Sequence, residues 1–384
     1  MSETDLEKQL EKMQGFLAQD PENDDLVAQI AHLHLQLGKF EDANAQLQSR
    51  LGVSPDNPKL LFELANVDMA RGRSTEASDT LQRLLYLGHD VPAIRYNLAY
   101  ALMLSGEHAD ALEQIRLITG TPDSKPEAEL LLIRALHHVG EMDEALSCAK
   151  MFVQEHPDNA EGYGLLSLLN LDVGSIEDAI EAANDAIEKD DSNFEGLVTL
   201  GNAALFDHQV DNAEMHFSSA LSHNQQSGRA WAGLGLVHMV QQNIPKAIED
   251  LTNAVKYMPN HIGTWHVLAW CYIAQDDLAK ARSCFDSSLE IDDNFGETYG
   301  GYAVLAAMEG NDEEARELIK KAGRLDKNGF GGPFALALLK SKDGSTDSAE
   351  KILKRLLSAP IDGEGGQTLE KTMIKLLTTN KDNK

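Results

Sequence analysis

Small and apolar residues recur along this chain with a period of 34 residues, far longer than one helical turn. Proline sets the frame. Pro21, Pro55 and Pro259 are separated by 34 and 204 residues, and Pro157 lies 102 beyond Pro55, so every interval is a whole number of periods. Counted from Asp24, ten blocks run without insertion or deletion: 24–57, 58–91, 92–125, 126–159, 160–193, 194–227, 228–261, 262–295, 296–329 and 330–363. The twentieth residue is alanine in all ten: Ala43, Ala77, Ala111, Ala145, Ala179, Ala213, Ala247, Ala281, Ala315 and Ala349. A side chain that small, held at one position, marks a close approach of two helices. The eighth residue is small in nine blocks (among them Ala31, Ala65, Ser167, Gly201 and Gly235), and Ile133 is the exception, which predicts wider packing in the fourth block. The fifteenth is glycine in seven blocks (Gly38, Gly72, Gly106, Gly140, Gly174, Gly310, Gly344), where a first helix must end and the chain turn.

Within a block the apolar residues follow helical spacing, as in Leu98, Ala101, Leu102 and Ser105. Each block therefore predicts two antiparallel helices. Asn57-Pro58 supplies a cap and a first-turn proline, and Pro126 and Pro245 sit at helix starts in the same way. One such hairpin cannot bury its apolar face alone, so stacking on its neighbours supplies the core. Residues 3–19 predict a capping helix with Leu6, Leu10, Met13 and Leu17 on one stripe, and residues 367–379, with Leu369, Met373, Leu376 and Leu377, predict another at the far end. The run Gly329-Phe330-Gly331-Gly332-Pro333 weakens a helix start and predicts a flexible joint between blocks nine and ten. Residues 379–384 are expected to fray.

This pattern resembles the tetratricopeptide repeat family, in particular its bacterial-type tandem-repeat scaffold proteins. The family's aromatic at position four appears as Tyr163, Trp231, Trp265 and Tyr299, its leucine at seven as Leu64, Leu98, Leu166 and Leu234, and its large residue at twenty-four as Leu47, Leu81, Phe217, Leu251 and Phe285. The resemblance implies an all-α fold: a right-handed superhelical α-solenoid of about ten tandem 34-residue helix-turn-helix repeats with capping helices. Its expected divisions are an N-terminal half-repeat at 1–23, one solenoid at 24–363, and a C-terminal capping helix with a short disordered tail at 364–384.

In the resembled family the first helices line a groove, reached from positions two, five, nine, twelve and thirteen. Those positions, with the asparagine at position six of block three, give the candidate partner-binding residues Phe62, Asn66, Tyr96, Asn97, Tyr100, Arg134, His138, Asn202, Phe206, His266 and Trp270. Met69, Met103, His137 and Met239 fall on the same positions. Exposed aromatics and methionines give adaptable apolar contacts, although packing against the next repeat is the other fate open to them. Position two carries Asp25, Glu127, Glu161, Glu195 and Glu297 against Lys59 and Arg229, which suits a partner with basic residues, or simply the preference of acids for a helix start. The carboxylate clamp of some chaperone-binding members needs bases where Phe62, Glu127 and Leu131 stand, so it is not expected here.

The chain has 384 residues, 42% of them hydrophobic, and a formal net charge of −29. Nucleic acid, which is bound through clustered Lys and Arg, is excluded as an expected ligand. The charge favours basic partners, or serves solubility alone. No apolar run is long enough to span a membrane. The opening Met-Ser-Glu-Thr-Asp-Leu-Glu lacks the basic and apolar character of a signal peptide, so a cytoplasmic location is expected. Cys148, Cys271 and Cys284 form no C-x-x-C pair and read as reduced, packed thiols. No phosphate loop, nucleophile elbow or H-E-x-x-H occurs. His34 and His238, at position eleven, read as core residues, and the neighbours His137 and His138 diverge by about 100° on a helix and make poor joint ligands.

The expectation is a non-catalytic protein–protein interaction scaffold, an adaptor or chaperone-like protein. It needs no cofactor or metal and holds a basic–apolar segment of a protein or peptide partner in the groove. The alternatives are a self-assembling structural protein that stacks through its terminal helices as a homo-oligomer, and an accessory subunit of an envelope or secretion assembly machine.

Overall fold

The computed structural model describes residues 3–120 and 124–358. The predicted C-terminal capping helix and tail lie outside the described residues. Among those described, the chain is an all-α solenoid of tandem hairpins with 21 helices and no strand. It divides into two compact units at Ser175 and Ile176. Unit 1 holds α1 (Glu3–Leu17), α2 (Asp24–Gln36), α3 (Phe40–Leu51), α4 (Pro58–Ala70), α5 (Ser74–Tyr86), α6 (Pro92–Ser105), α7 (His108–Arg116), α8 (Pro126–Val139), α9 (Met142–Glu155) and α10 (Ala160–Asp172). Unit 2 holds α11 (Ile176–Lys189), α12 (Phe194–Phe206), α13 (Val210–His223), α14 (Gly228–Val240), α15 (Ile244–Tyr257), α16 (Ile262–Ala274), α17 (Leu278–Ile291), α18 (Gly296–Glu309), α19 (Asp312–Leu325), α20 (Gly331–Lys342) and α21 (Thr346–Leu357).

The repeat is punctuated at both ends of its first helix. The last residue of a block caps the first helix of the next: side chains of Asn57, Asn159, Asn193 and Ser227 accept N–H groups of Leu60, Gly162, Gly196 and Ala230 at 3.3, 2.9, 2.9 and 3.1 Å. His261 does the same through Nδ1, accepting the Thr264 N–H at 3.1 Å. At the other end position fifteen is left-handed in every block. The seven glycines have φ between 69° and 87°, and the following N–H reaches back to the carbonyl of position eleven, as from Lys39 to His34 at 2.8 Å. Blocks six, seven and eight lack the glycine, and His208, Gln242 and Asp276 adopt φ of 59°, 61° and 61° at that position. An L side chain there costs roughly 1–2 kcal/mol. Part of that returns when glycine's extra freedom in the unfolded chain is counted. Gln242→Gly is therefore expected to raise stability by about 0.5–1 kcal/mol, read as a higher urea midpoint. A lower midpoint would contradict this account of the turn.

Packing explains the small residues. Nine of the ten position-twenty alanines have no exposed surface, and Ala349 is 4% exposed. In blocks six, seven and eight, where position twenty-four is Phe217, Leu251 or Phe285, the facing first helices carry glycine. A Cβ on Gly201 or Gly233 would lie 2.7 or 2.4 Å from the Phe217 ring, one on Gly301 would lie 2.3 Å from Phe285, and one on Gly235 would lie 2.5 Å from Leu251. Ile133, the large residue at position eight, is buried in the block that has Ala149 at position twenty-four, so volume is exchanged between the two positions. At the N-terminus α1 packs as its stripe predicts, with Leu6, Leu10, Met13 and Leu17 against Ile30 and Leu33.

Blocks nine and ten correct the expected flexible joint. A Cβ on Gly331 would fall 2.6 Å from the Gly300 carbonyl carbon, so α18 and α20 meet backbone to backbone. The Gly331 N–H donates to Glu297 Oε1 at 2.7 Å. Phe330 and Phe334 stack at 5.5 Å and both meet the edge of Trp270, at 5.6 and 5.8 Å. The glycines that weaken a helix start are what permit this approach.

Candidate partner-binding groove

The first helices of unit 1 together with α1 line an open cleft of about 800 Å³, walled by α1, α2, α4 and the start of α6. Met13, Ala28, Leu33, Phe62 and Ile94 give it an apolar lining. Its polar rim is tied together across repeats. Lys59 Nζ donates to Asp25 Oδ1 at 2.7 Å, and His32 Nδ1 stands 3.2 Å from Glu63 Oε2. Gln36 and His89 complete the rim. A cleft of this size with a few converging polar groups is the usual form of a binding site.

Further along the same helices the candidate residues fall into linked pairs. Asn97 Nδ2 donates to Asn66 Oδ1 at 2.7 Å. The Tyr96 and Tyr100 rings lie parallel, 6.5 Å apart, and Tyr100 remains 44% exposed. Burial pushes the Tyr96 phenol above its ordinary value, and Tyr100, Glu127 and Glu161 push it further. Arg134 donates to Glu161 at 2.9 Å, and His137 Nε2 stands 2.7 Å from Asp172 Oδ2. His138 stacks on His108 at 4.3 Å rather than joining His137 in a shared site. Phe62, Asn66, Tyr96, Asn97 and Arg134 are half-buried, while Tyr100 and His138 are exposed.

Unit 2 treats the same positions differently. Phe206 is 43% exposed, and half-buried Asn202 donates to the Val198 carbonyl at 2.9 Å, closing on its own helix. His266 does not face an open groove. It is buried, stands 3.0 Å from Thr298 Oγ1, and lies edge-on between Phe285 and Phe295. That apolar enclosure lowers its pKa to about 4. Trp270 is covered by Phe330 and Phe334. The reading by position missed both because it looks at one helix at a time: the rings around His266 come from the second helix and the end of its own block, and those over Trp270 come from block ten.

His32 and Gln36 line the cleft without having been singled out in the sequence. They occupy positions nine and thirteen of block one, so the rule that yields Arg134 and His138 reaches them too. His238 and Asp250 form a buried pair at 2.5 Å, with His238 Nε2 facing Glu214 at 3.8 Å. Burial raises the Asp250 carboxyl, partly offset by the His238 bond. The imidazole faces a carboxylate rather than a hydroxyl or thiol, and both partners are sealed from solvent, so the pair has the character of a packing contact. His34 is likewise buried. All three cysteines are free, and burial pushes the Cys271 and Cys284 thiols up to about 11 and about 12. They stay protonated and poorly nucleophilic at neutral pH. No helix among the described residues is long and apolar enough to cross a membrane.

Two family models, both described as tetratricopeptide repeat, match the chain: one at residues 238–297, the other at 29–92, 62–129 and 198–261. No curated protein matches the chain in sequence. Among solved structures, the APC/C hetero-tetramer Cut9–Hcn1 contains a chain similar in fold, with a TM-score of 0.60 and 18% identity over 83% of this chain. The match spans 63% of that chain's own length. A human IFIT1 dimer with m7Gppp-AAAA gives a TM-score of 0.55 at 16% identity, covering 86% of this chain and 88% of that one. Identities this low carry the fold and nothing more specific.

Proposed function

From the premise that the chain belongs to the tetratricopeptide repeat family, we propose that it is a cytoplasmic, non-catalytic scaffold of the adaptor or chaperone-like kind. Its repeat array, 24–363, lies between end segments 1–23 and 364–384 and holds a basic–apolar segment of a partner protein on the first-helix face of unit 1. Repeats of this family generally mediate protein–protein interaction and are typically non-catalytic, which supports the coarse reading. The observation that carries the finer one is the open cleft of about 800 Å³ with Phe62 in its wall. Tyr100 stands exposed two helices on. Apolar anchors in a pocket, ringed by polar groups, are how extended or helical peptides are gripped.

Charge supports a basic segment. The two bases on this face are already neutralised, Lys59 by Asp25 and Arg134 by Glu161. Glu127 adds negative charge beside Tyr96. The capped RNA in the IFIT1 complex belongs to that protein, and a chain of net charge −29 repels phosphate backbones.

The test is fluorescence anisotropy with labelled amphipathic peptides, identical except that Lys is exchanged for Glu. The basic peptide binds in a salt-dependent manner, and Phe62→Ala with Tyr100→Ala weakens it by about 2 kcal/mol or more, the loss expected for two aromatic anchors. Equal binding of the acidic peptide, or an unchanged affinity in the double variant with helicity intact, would remove the groove from consideration.

A further inference from the structure

The fourth repeat carries a cluster that neither its packing nor the groove uses. Glu129 in the first turns of α8, Glu155 at the end of α9 and His156 just beyond it each offer one ligand atom, all within 4.8 Å of one another. From this geometry we infer that Glu129, Glu155 and His156 form a binding site for a divalent transition-metal ion of the zinc type, held on the outer ends of the fourth hairpin with its remaining positions open to water.

Three independent features converge on it. First, Glu129 occupies position four, which most other blocks fill with an apolar or aromatic residue such as Val27, Leu61, Leu197, Trp231 or Trp265 (Arg95 in block three is the other charged one), and its side chain is 26% exposed there. Second, the spacing of the donor atoms leaves room for an ion between them. His156 Nε2 stands 3.8 Å from Glu129 Oε2, too far for a hydrogen bond. Ligands of a zinc centre, each roughly 2.0–2.2 Å from the ion, stand about 3–4 Å apart. Third, the imidazole is aimed. Adjacent residues on a helix diverge, but His156 leaves the helix at φ −125° and ψ 65°, and its ring rests on Phe152 at 4.6 Å. Phe152 is itself fixed, since a Cβ on Gly162 would lie 2.5 Å from its ring.

One imidazole nitrogen and two carboxylate oxygens make a donor set suited to zinc, cobalt or nickel rather than magnesium, which prefers oxygen alone. The ion would tie the start of α8 to the end of α9. The sequence concealed the site because 26 residues separate Glu129 from Glu155, with no recurring spacing to mark them.

The experiment is isothermal titration of the full chain with Zn2+ at physiological salt and excess Mg2+, followed by Co2+ absorption to read the coordination. Expected is one saturable equivalent, with His156→Ala and Glu129→Gln each weakening it by at least the ~10–100-fold that outer-shell partners alone command. Glu155→Gln, at an exposed residue with no packing role, gives the same direction even if the other two perturb the fold. Absence of a saturable equivalent, uptake displaced by Mg2+ as from a diffuse acidic surface, or an affinity unchanged in all three variants would overturn the site.

Discussion

Phe217→Ala is expected to destabilise the protein by about 3–5 kcal/mol, at the upper end of that range. The ring has no exposed surface and occupies a socket between Gly201 and Gly233. Neither glycine has a side chain to lean into the space left behind, so the cavity persists and its cost adds to the lost transfer energy. The same geometry predicts a coupling. In the native background Gly233→Ala overpacks against the ring at 2.4 Å and costs about 1–3 kcal/mol. With Phe217→Ala already present, the added methyl enters vacant space and the penalty vanishes or reverses. Urea unfolding of the four proteins in this cycle measures both effects. A loss under about 1 kcal/mol for Phe217→Ala would contradict the socket description.

The second large effect concerns the tenth repeat. Gly331→Val places a branched side chain where a Cβ alone would meet the Gly300 carbonyl carbon at 2.6 Å and its Cα at 2.9 Å. The obstacle is backbone, which has no rotamer to change, so α20 must move away from α18. That movement separates Phe330 and Phe334 from Trp270 and breaks the Gly331 bond to Glu297. The cost is expected at about 3 kcal/mol or more. It would appear locally as faster amide exchange throughout α20 and α21 with α12–α15 unchanged, because repeats fail at an end without unfolding the rest. Unaltered protection of α20 would show that the glycine contact does not hold this repeat in place.

These two residues illustrate what the sequence discloses and what it does not. The period, the alanine at position twenty and the glycine turns were legible because they are local and repeated. A single helix crossing demands the same small residue ten times over, and a helix end demands the same φ. The three blocks without glycine were not legible as departures of residue type, because His208, Gln242 and Asp276 take the same left-handed conformation imposed by the array around them. The run Gly329 to Pro333 reads locally as a weak helix start, and only the facing Gly300 reveals it as a contact surface. The candidate groove was legible by position and not by state. Tyr100 and Phe206 are exposed, whereas His266 and Trp270, under the same rule, are covered by rings from further along the chain, Phe285 and Phe295 over His266 and Phe330 and Phe334 over Trp270. The cleft at the first repeats depends on α1 lying over α2, a tertiary fact that only the stripe Leu6, Leu10, Met13 and Leu17 anticipates.

The most direct test of the central claim is site-specific photocrosslinking. A photoreactive phenylalanine analogue is placed in turn at Phe62, at Tyr100 and at Tyr86, which is 92% exposed at the end of a second helix. Illumination with the basic amphipathic peptide, and then with extract, is predicted to give the same crosslinked partner from positions 62 and 100, competed by the unlabelled peptide, and none from position 86. Crosslinking from position 86 alone, or equally from all three, would place recognition off the first-helix face and contradict the account.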